Sequence, residues 1–515
     1  MIVAKHGVHL LPMLTARRHF TLLFLSLFIA APFARSVPSA PTDAIKLTLN
    51  DAIQRALEKN FAIKVEGYNA SIASARVTES LGKFDPVLSG SYNNADSYSP
   101  QLIDLATGLR PTANYTNTVA YDLNVGGVLP WGMTYQAGTT TNNPRGTFTS
   151  FNDNFSTFAG VSGTQPLLRN FGFGTTLATI RIAQVNRGLS EWQFRQTLIN
   201  TITQVIFSYN DLNFAYANLR SAVRSRDLAT QLLDENEKRF KTGSMSQYEV
   251  TSARSRAASR EENILFAEQG VHEAENALKQ LITDTRNPTL LGEKIAIEEP
   301  SPAPIVIVDA AADFRIALES RPDFQQAKLS FKRDSINTRL RHNQLLPQID
   351  LTGSYGYNGL DTDLRSSRQQ LKDRDFHSYS WGVVASVPLT FTTERGRYRA
   401  ARLQQAQSET VQQQVEQNIV VLVGNAAANI ETVQKRIQAT RKARELAQAT
   451  LDDEVKRLRA GQSSTFFVAQ VQEILSAAEV YEARAQSDYH KALADYDRQL
   501  GVTLEKLNIT VQPPK

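Results

Sequence analysis

The residues able to do chemistry are few, and their spacing does not favour it. The 515-residue sequence has seven histidines and no cysteine, which excludes thiolate metal sites, thiol nucleophiles and disulfides. Three histidines (His6, His9, His19) lie in the first 36 residues; the others are His272, His342, His377 and His490. His272 and His490 stand 218 positions apart, the spacing that also relates two longer stretches of the chain. That equivalence invites a metal reading, but neither has a second histidine three or four residues away to share its helix face. Both read as solvated helix residues. Phe171-Gly172-Phe173-Gly174 lacks a third glycine and opens no βαβ unit, so it is no phosphate cradle. Arg239 and Arg457 sit in basic runs that could bind anions, yet complementing a helix C-terminus already accounts for them. The reading is of no catalytic residue, no cofactor and no metal: not an enzyme.

Those two basic runs say more about architecture. Lys238-Arg239-Phe240-Lys241-Thr242-Gly243-Ser244-Met245-Ser246-Gln247-Tyr248-Glu249-Val250 recurs 218 positions on as Lys456-Arg457-Leu458-Arg459-Ala460-Gly461-Gln462-Ser463-Ser464-Thr465-Phe466-Phe467-Val468. In each, a basic turn ends a helix and Gly243 or Gly461 takes the left-handed position just past it. Ser246 or Ser464 then caps the next helix. Each stretch is expected to be the sharp bend of a helical hairpin. Ala56-Leu57-Glu58 and Pro86 recur as Ala317-Leu318-Glu319 and Pro347 at an offset of 261, and Gln165-Pro166-Leu167 as Val387-Pro388-Leu389 at 222. A period this long means two structural repeats in one chain, not a solenoid of short units.

Boundaries follow from the repeat. Residues 1–36 read as an export signal, with Arg17-Arg18, an apolar run from Phe20 to Ala31, and Ala34-Arg35-Ser36 at the cleavage site. The apolar run is too short to span a membrane, and without cysteine there is no lipoprotein anchor. Removing it takes Lys5, Arg17, Arg18 and Arg35 and no acid, so +5 becomes +1 and the basic balance is no argument for nucleic acid. Residues 37–285 form the first repeat: a helix over 47–82, strands within 87–166 and a long helical hairpin over 175–283. Residues 286–309, rich in proline, form a linker. Residues 310–502 repeat the plan, with a helix to 344, strands within 348–389 and a hairpin over 394–500; 503–515 are a tail.

Within the strand regions the period is two. Tyr115, Asn117, Val119, Tyr121, Leu123 and Val125 oppose Thr116, Thr118, Ala120, Asp122 and Asn124, and Trp131, Met133, Tyr135 and Ala137 alternate with Gly132, Thr134 and Gln136. In the second half Ile349, Leu351, Tyr355 and Tyr357 oppose Asp350, Thr352 and Ser354, while Trp381, Val383 and Ala385 oppose Ser380 and Gly382. Strands of about ten residues with one apolar face fit a transmembrane barrel. A soluble β-sandwich competes, but the export signal and the aromatics at strand ends (Tyr115, Trp131, Tyr135) favour the barrel. Residues 99–114, 142–154 and 359–376 are expected as long outer loops, and Leu129-Pro130 as a short inner turn.

The helices are long. Leu198, Ile202, Val205, Tyr209, Leu212, Tyr216, Leu219 and Val223 step 4,3,4,3, a heptad seam. Val411, Val415, Ile419, Leu422, Ala426, Ile430, Val433 and Ile437 step 4,4,3, an eleven-residue period expected to untwist the supercoil. Each run of roughly 65 residues would reach about 100 Å. The mature chain has no uninterrupted apolar run of 18, so no transmembrane helix is expected.

The chain resembles the TolC-like outer membrane efflux family along nearly all of its mature length. The matching residues are Leu47-Thr48-Leu49 with Ala52 and Ala56-Leu57, Pro86 and Pro347, Gln165-Pro166-Leu167-Leu168-Arg169 and Pro388-Leu389, and both Arg-x-x-x-Gly bends. The fold class expected is mainly α with a β-barrel portion: a duplicated repeat of long antiparallel periplasmic helices plus short transmembrane strands. The resemblance implies a homotrimer, one β-barrel continuous with an α-helical tunnel, in the outer membrane of a Gram-negative cell. It implies a periplasmic adaptor and an inner-membrane exporter, proton-driven or ATP-driven, as partners. By the same resemblance Arg239, Gly243, Ser246, Arg457, Gly461 and Ser464 form the tips that mesh with the adaptor. Drug efflux, metal efflux and protein secretion use this machine alike; a passive porin or a scaffold without a pump is the rival of another class.

Two departures stand out. The first half offers four strand segments where the family usually shows two, which implies more than the usual twelve strands per trimer. Well-known members place aspartates just after the second bend, where this chain has Phe467 and Gln470. The expectation is a mixed tunnel mouth of Phe467 and Gln470, with Glu249 as its only acidic ring.

Overall fold

The computed structural model describes residues 45–100, 113–288, 292, 294–298 and 305–510. The export signal and most of the loop expected at 99–114 lie outside them. The chain opens with β1 (Ile45–Leu47), α1 (Leu49–Lys59) and α2 (Phe61–Leu81). Four strands follow: β2 (Val87–Ser99), β3 (Asn114–Val128), β4 (Thr134–Gly146) and β5 (Phe155–Pro166). A short α3 (Gly172–Thr176) leads into α4 (Ala178–Lys241), 64 residues and about 96 Å long, and α5 (Gln247–Ile282) returns. The second half runs β6 (Ile295–Ile297), α6 (Ala310–Ser320), α7 (Pro322–Asn343), β7 (Gln348–Asp361), α8 (Leu364–Asp373) and β8 (Phe376–Ser386). The chain ends in α9 (Thr392–Arg459), α10 (Thr465–Leu500) and α11 (Thr503–Lys506).

The helix expected over 47–82 is two. Thr48 caps α1 in a reciprocal box with Asp51, and Asn60 ends it in an extended conformation, its Oδ1 accepting from Ala62 N at 2.9 Å to cap α2. The break changes the buried face. Phe61 and Val65, which continue the period of Ile53 and Leu57, are exposed, and α2 buries Ile63, Gly67 and Ala70 instead. The helix expected over 310–344 breaks likewise at Arg321, because Pro322 has no N–H to continue the ladder of α6.

Both joints are tied to the end of a returning helix. Asn60 Nδ2 donates to Leu281 O of α5 at 3.0 Å, and Arg321 Nη1 donates to Gln499 O of α10 at 2.9 Å. Asn60 and Arg321 are 261 residues apart and Leu281 and Gln499 are 218 apart, so the two repeat offsets recur in one pair of contacts. α2 therefore continues beyond the end of α5 along α4, while α1 packs over the junction. Ala52, Ile53 and Ala56 join Leu198, Ile202, Val205, Tyr209 and Leu278 in one core.

Three features at this level escape sequence periodicity. β1 and β6 form a parallel ladder, Leu47 opposite Ile297, with the Tyr209 hydroxyl 2.7 Å from Glu298 O and 3.1 Å from Leu47 O. Beside it the buried Glu275 accepts from Tyr216 Oη at 2.7 Å and Ile295 N at 3.3 Å, with Lys279 Nζ, also buried, 3.6 Å away. The tail is not loose either: α11 inserts Leu504 into the same core and pairs Glu505 with Arg195.

The α4 seam is buried as its heptad requires, from Leu198 to Leu212. The α9 seam differs from expectation. Val411 and Leu422 are exposed, and Val423 takes the buried place. Ile419, Val423, Ala426, Ile430, Val433 and Ile437 then step 4,3,4,3,4, so α9 also carries a heptad and not an eleven-residue period. Side chains across α4 and α10 fix their antiparallel alignment: Ser487 Oγ donates to Asn210 O, and Arg224 reaches Glu479.

The strands form one six-stranded antiparallel sheet in the order β2-β3-β4-β5-β7-β8. One face carries Leu88, Tyr92, Leu123, Val125, Val161, Tyr355, Trp381 and Val383, all exposed. The other carries Ser91, Asp122, Asn124, Gln136, Ser162, Ser354 and Ser380. The register keeps each face continuous across the strands: Leu123 lies opposite Gly90 and Thr139, Val161 opposite Ala137 and Tyr355. β4 begins at Thr134, not at Trp131, because Gly132 at φ +97° closes a tight turn with Leu129. It then runs to Gly146 through Pro144, past the last β4–β5 pair at Asn142 and Ser156, where a missing N–H leaves β5 no unmet bond. The loop expected at 142–154 thus shrinks to 147–154. The loop expected at 359–376 is largely the helix α8.

Candidate functional site

The two bends have the same backbone. Thr242 and Ala460 end α4 and α9, and Gly243 and Gly461 follow at φ +76° and +73°. Ser244 N donates to Arg239 O at 2.9 Å and Gly243 N to Phe240 O at 2.9 Å. In the second bend Gln462 N donates to Arg457 O at 2.9 Å and Gly461 N to Leu458 O at 3.1 Å. Each arginine thus supplies the carbonyl that closes the six-residue loop. Their guanidinium groups pair within their own helices, Arg239 with Glu235 and Arg457 with Glu454. A Cβ built on either glycine meets nothing within 4 Å. The left-handed φ alone therefore demands glycine there.

Beyond the bends the halves diverge. Ser246 caps α5 in a capping box: Glu249 N donates to Ser246 Oγ, and Ser246 N donates to Glu249 Oε2 at 3.0 Å. Ser-x-x-Glu in the sequence is the signature of that box. Ser464 occupies the equivalent place before α10 without a side-chain cap, and with Phe at position 467 no acid is there to accept from the Ser464 N–H. Ser463 instead donates to Glu454 across the bend.

The mouth residues fall together in part. Phe467 and Gln470 are both exposed while Thr465 and Val468 are buried, so the two share the outward face of the first turns of α10. Phe466 is held edge-on to Phe467 at 5.6 Å and lies 5.8 Å from the Arg256 guanidinium of α5. Arg260 reaches Glu473 at 3.4 Å one turn higher. Glu249 is half-buried with its carboxylate turned back to the cap.

The remaining residues singled out from sequence have structural places. His490 is half-buried and desolvation holds its imidazole below the ordinary value; His272 is exposed. Among the described residues no His, Asp and Glu side chains gather in a group that could hold a metal. Gly172, at φ +84°, turns β5 into α3, and its N–H donates to Trp131 O at 3.1 Å. Trp131 and Phe173 stack edge-on at 6.5 Å at this end of the sheet, and Tyr98 and Tyr115 pair at 4.8 Å at the other. An apolar band between two aromatic belts is what a bilayer demands of a barrel.

A family model described as outer membrane efflux protein matches residues 131–283 and 314–502, 342 of the 515. The chain belongs to this family. It is an outer membrane efflux protein with a large periplasmic helical portion, of the TolC-like kind. The match takes in both bends and starts after β3, so β2 and β3 precede it. Three solved structures show the same fold. The CmeC outer membrane channel of Campylobacter jejuni has 16% identity and a TM-score of 0.66, covering 88% of this chain and 86% of that one. The outer membrane protein VceC of Vibrio cholerae has 17% identity and a TM-score of 0.65, covering 88% and 96%. The open-state MtrE outer membrane channel of Neisseria gonorrhoeae has 19% identity and a TM-score of 0.59, covering 88% and 89%. No curated protein sequence matches the chain.

Proposed function

We propose that three copies of this chain form one tunnel that passively conducts substrates from an inner-membrane exporter, through a periplasmic adaptor, across the outer membrane. The observation that carries the proposal is the pair of unpartnered sheet edges. Among the described residues β2 bonds only β3 and β8 bonds only β7. In hydrocarbon each unpaired N–H or C=O costs several kcal/mol, and six strands are too few to close on themselves. Three copies pairing β2 to β8 close an 18-stranded barrel. The exposed apolar Phe61, Val65, Val420 and Val421 on the helices also gain cover from a neighbouring copy.

In this reading Arg239, Gly243, Ser246, Arg457, Gly461 and Ser464 present the tips to the adaptor, and Glu249, Phe467 and Gln470 line the mouth. The absence of native cysteine makes the test clean. Ser380→Cys on β8, paired in turn with Ser89→Cys, Ser91→Cys or Asn93→Cys on β2, should give oxidised dimers and trimers at one register. No crosslink at any register, or a conducting monomer, refutes the closure. Retention of a periplasmic hairpin protein by Cys-labelled tips tests the adaptor contact separately, and failure there favours a porin.

A further inference from the structure

α8 is strapped to the outside of the sheet. Ser367 is fully buried; its Oγ lies 2.6 Å from Thr157 Oγ1 of β5 and donates to Phe155 O at 2.9 Å. A Cβ on Gly359 of β7 would come within 2.0 Å of Ser367 O, so only glycine admits the helix this closely. Gln370 bonds both Leu360 N, at 2.9 Å, and Leu360 O, at 3.1 Å. Thr157 and Gly359 are register partners on the face that carries Val161 and Tyr355. α8 therefore lies on the apolar side, at the strand ends farthest from the long helices.

Its outward side is basic. Arg365, Arg368 and Lys372, at i, i+3 and i+7, form one exposed stripe, and none of the three has an ion-pair partner among the described residues. The acids stay at the ends of the helix. Asp363 caps it, accepting from Ser366 N at 3.0 Å, and Asp373 accepts from Gln369 Nε2 at 3.0 Å. Capping and charge segregation make α8 a rigid rod of cations beside the lipid-facing aromatics.

We propose that this stripe docks the phosphorylated glycolipid of the outer leaflet, lipopolysaccharide, with Arg365, Arg368 and Lys372 receiving its phosphate groups. The proposal rests on the barrel reading for its outer face. At the upper rim of an apolar band the lateral neighbours are lipid headgroups, and arginine and lysine are the side chains that match phosphate. Cations near an anionic lipid surface attract it over about a Debye length. The strap matters because it fixes the stripe's height and direction on the barrel wall.

The experiment titrates the detergent-purified full chain with lipopolysaccharide, with the same lipid after enzymatic dephosphorylation, and with inorganic phosphate, reading bound lipid by native mass spectrometry. Arg365→Gln/Arg368→Gln/Lys372→Gln should weaken the phosphorylated lipid on the order of 100-fold, about fivefold per cation. Dephosphorylated lipid should bind the natural chain as weakly as that, and millimolar inorganic phosphate should displace nothing. Unchanged affinity of the triple variant, equal affinity for dephosphorylated lipid, or displacement by free phosphate overturns the proposal. If the triple variant does not assemble, the three single variants replace it, each expected to lose about fivefold. Normal assembly with unaltered lipid binding sinks this inference alone; a natural chain that is monomeric sinks the tunnel reading instead.

Discussion

Glu275→Ala should be among the most damaging single changes in the periplasmic half of the chain. The carboxylate is buried, accepts from Tyr216 and Ile295, and is the only anion beside the buried Lys279 among the described residues. Removing it leaves an unpaired buried ammonium and an orphaned Ile295 N–H, which places the loss at about 3–5 kcal/mol. Glu275→Gln/Lys279→Met keeps an acceptor for Tyr216 and Ile295 and removes both charges, so it should match the natural chain to within about 1.5 kcal/mol. Urea unfolding followed by circular dichroism at pH 7 reads both variants. The reasoning fails if Glu275→Ala costs no more than an exposed substitution, or if the double variant is less stable than the single one.

Gly243→Ala and Gly461→Ala should each cost about 1–2 kcal/mol through backbone strain alone, since no atom obstructs the new methyl; Gly461→Asn should cost less, as measured by urea midpoints. In single-channel recordings Phe467→Ala should raise conductance and Glu249→Ala should lower cation preference, the latter with a loss of about 1 kcal/mol of helix capping; unchanged behaviour in both places the constriction elsewhere. At alkaline pH burial first, then carboxylate partners for Tyr216 and Tyr496, hold the phenols of Tyr209, Tyr216 and Tyr496 above their ordinary value. The unfolded chain loses those protons near pH 10 while the folded chain keeps them, so stability falls above pH 10 and is untouched below it. Tyr216→Phe should flatten that fall in urea midpoints measured at pH 9 and 11.

The bends were legible because their determinants are local: a basic last turn, a glycine at positive φ and a serine before the next helix lie within one short stretch. The α4 seam was legible for the same reason. The α9 seam was not, since Ile419 to Val423 is apolar throughout and only packing chooses Val423 over Leu422. The joint at Asn60 was masked by Leu57, Phe61 and Val65, which keep an i, i+4 period straight through the break. β1 and β6 are too short to carry a period; α8 is capped by Asp363 and held by the wall it leans against. The tip role of the bend residues rests on the family resemblance, and Ser-x-x-Glu at 246–249 also accounts for a Glu249 carboxylate turned to its own cap and not to a mouth. The repeat also held a measurement. Its offset drops from 261 before the strands to 222 after them, and those 39 residues are about the length of one added hairpin, β2 with β3.

In the proposed trimer that added hairpin would have a cost in permeability. Barrel diameter grows roughly in proportion to strand number, so 18 strands in place of 12 would widen the exit about 1.5-fold and its cross-section about 2.3-fold. Barrels of this size leave an aqueous channel even when they serve as general porins. A cell carrying such an exit would leak detergents and antibiotics inward unless the resistance lay elsewhere. On the proposed architecture the resistance sits at the bends, a helix length of about 100 Å away. There it is within reach of partners in the periplasm and out of reach of anything outside.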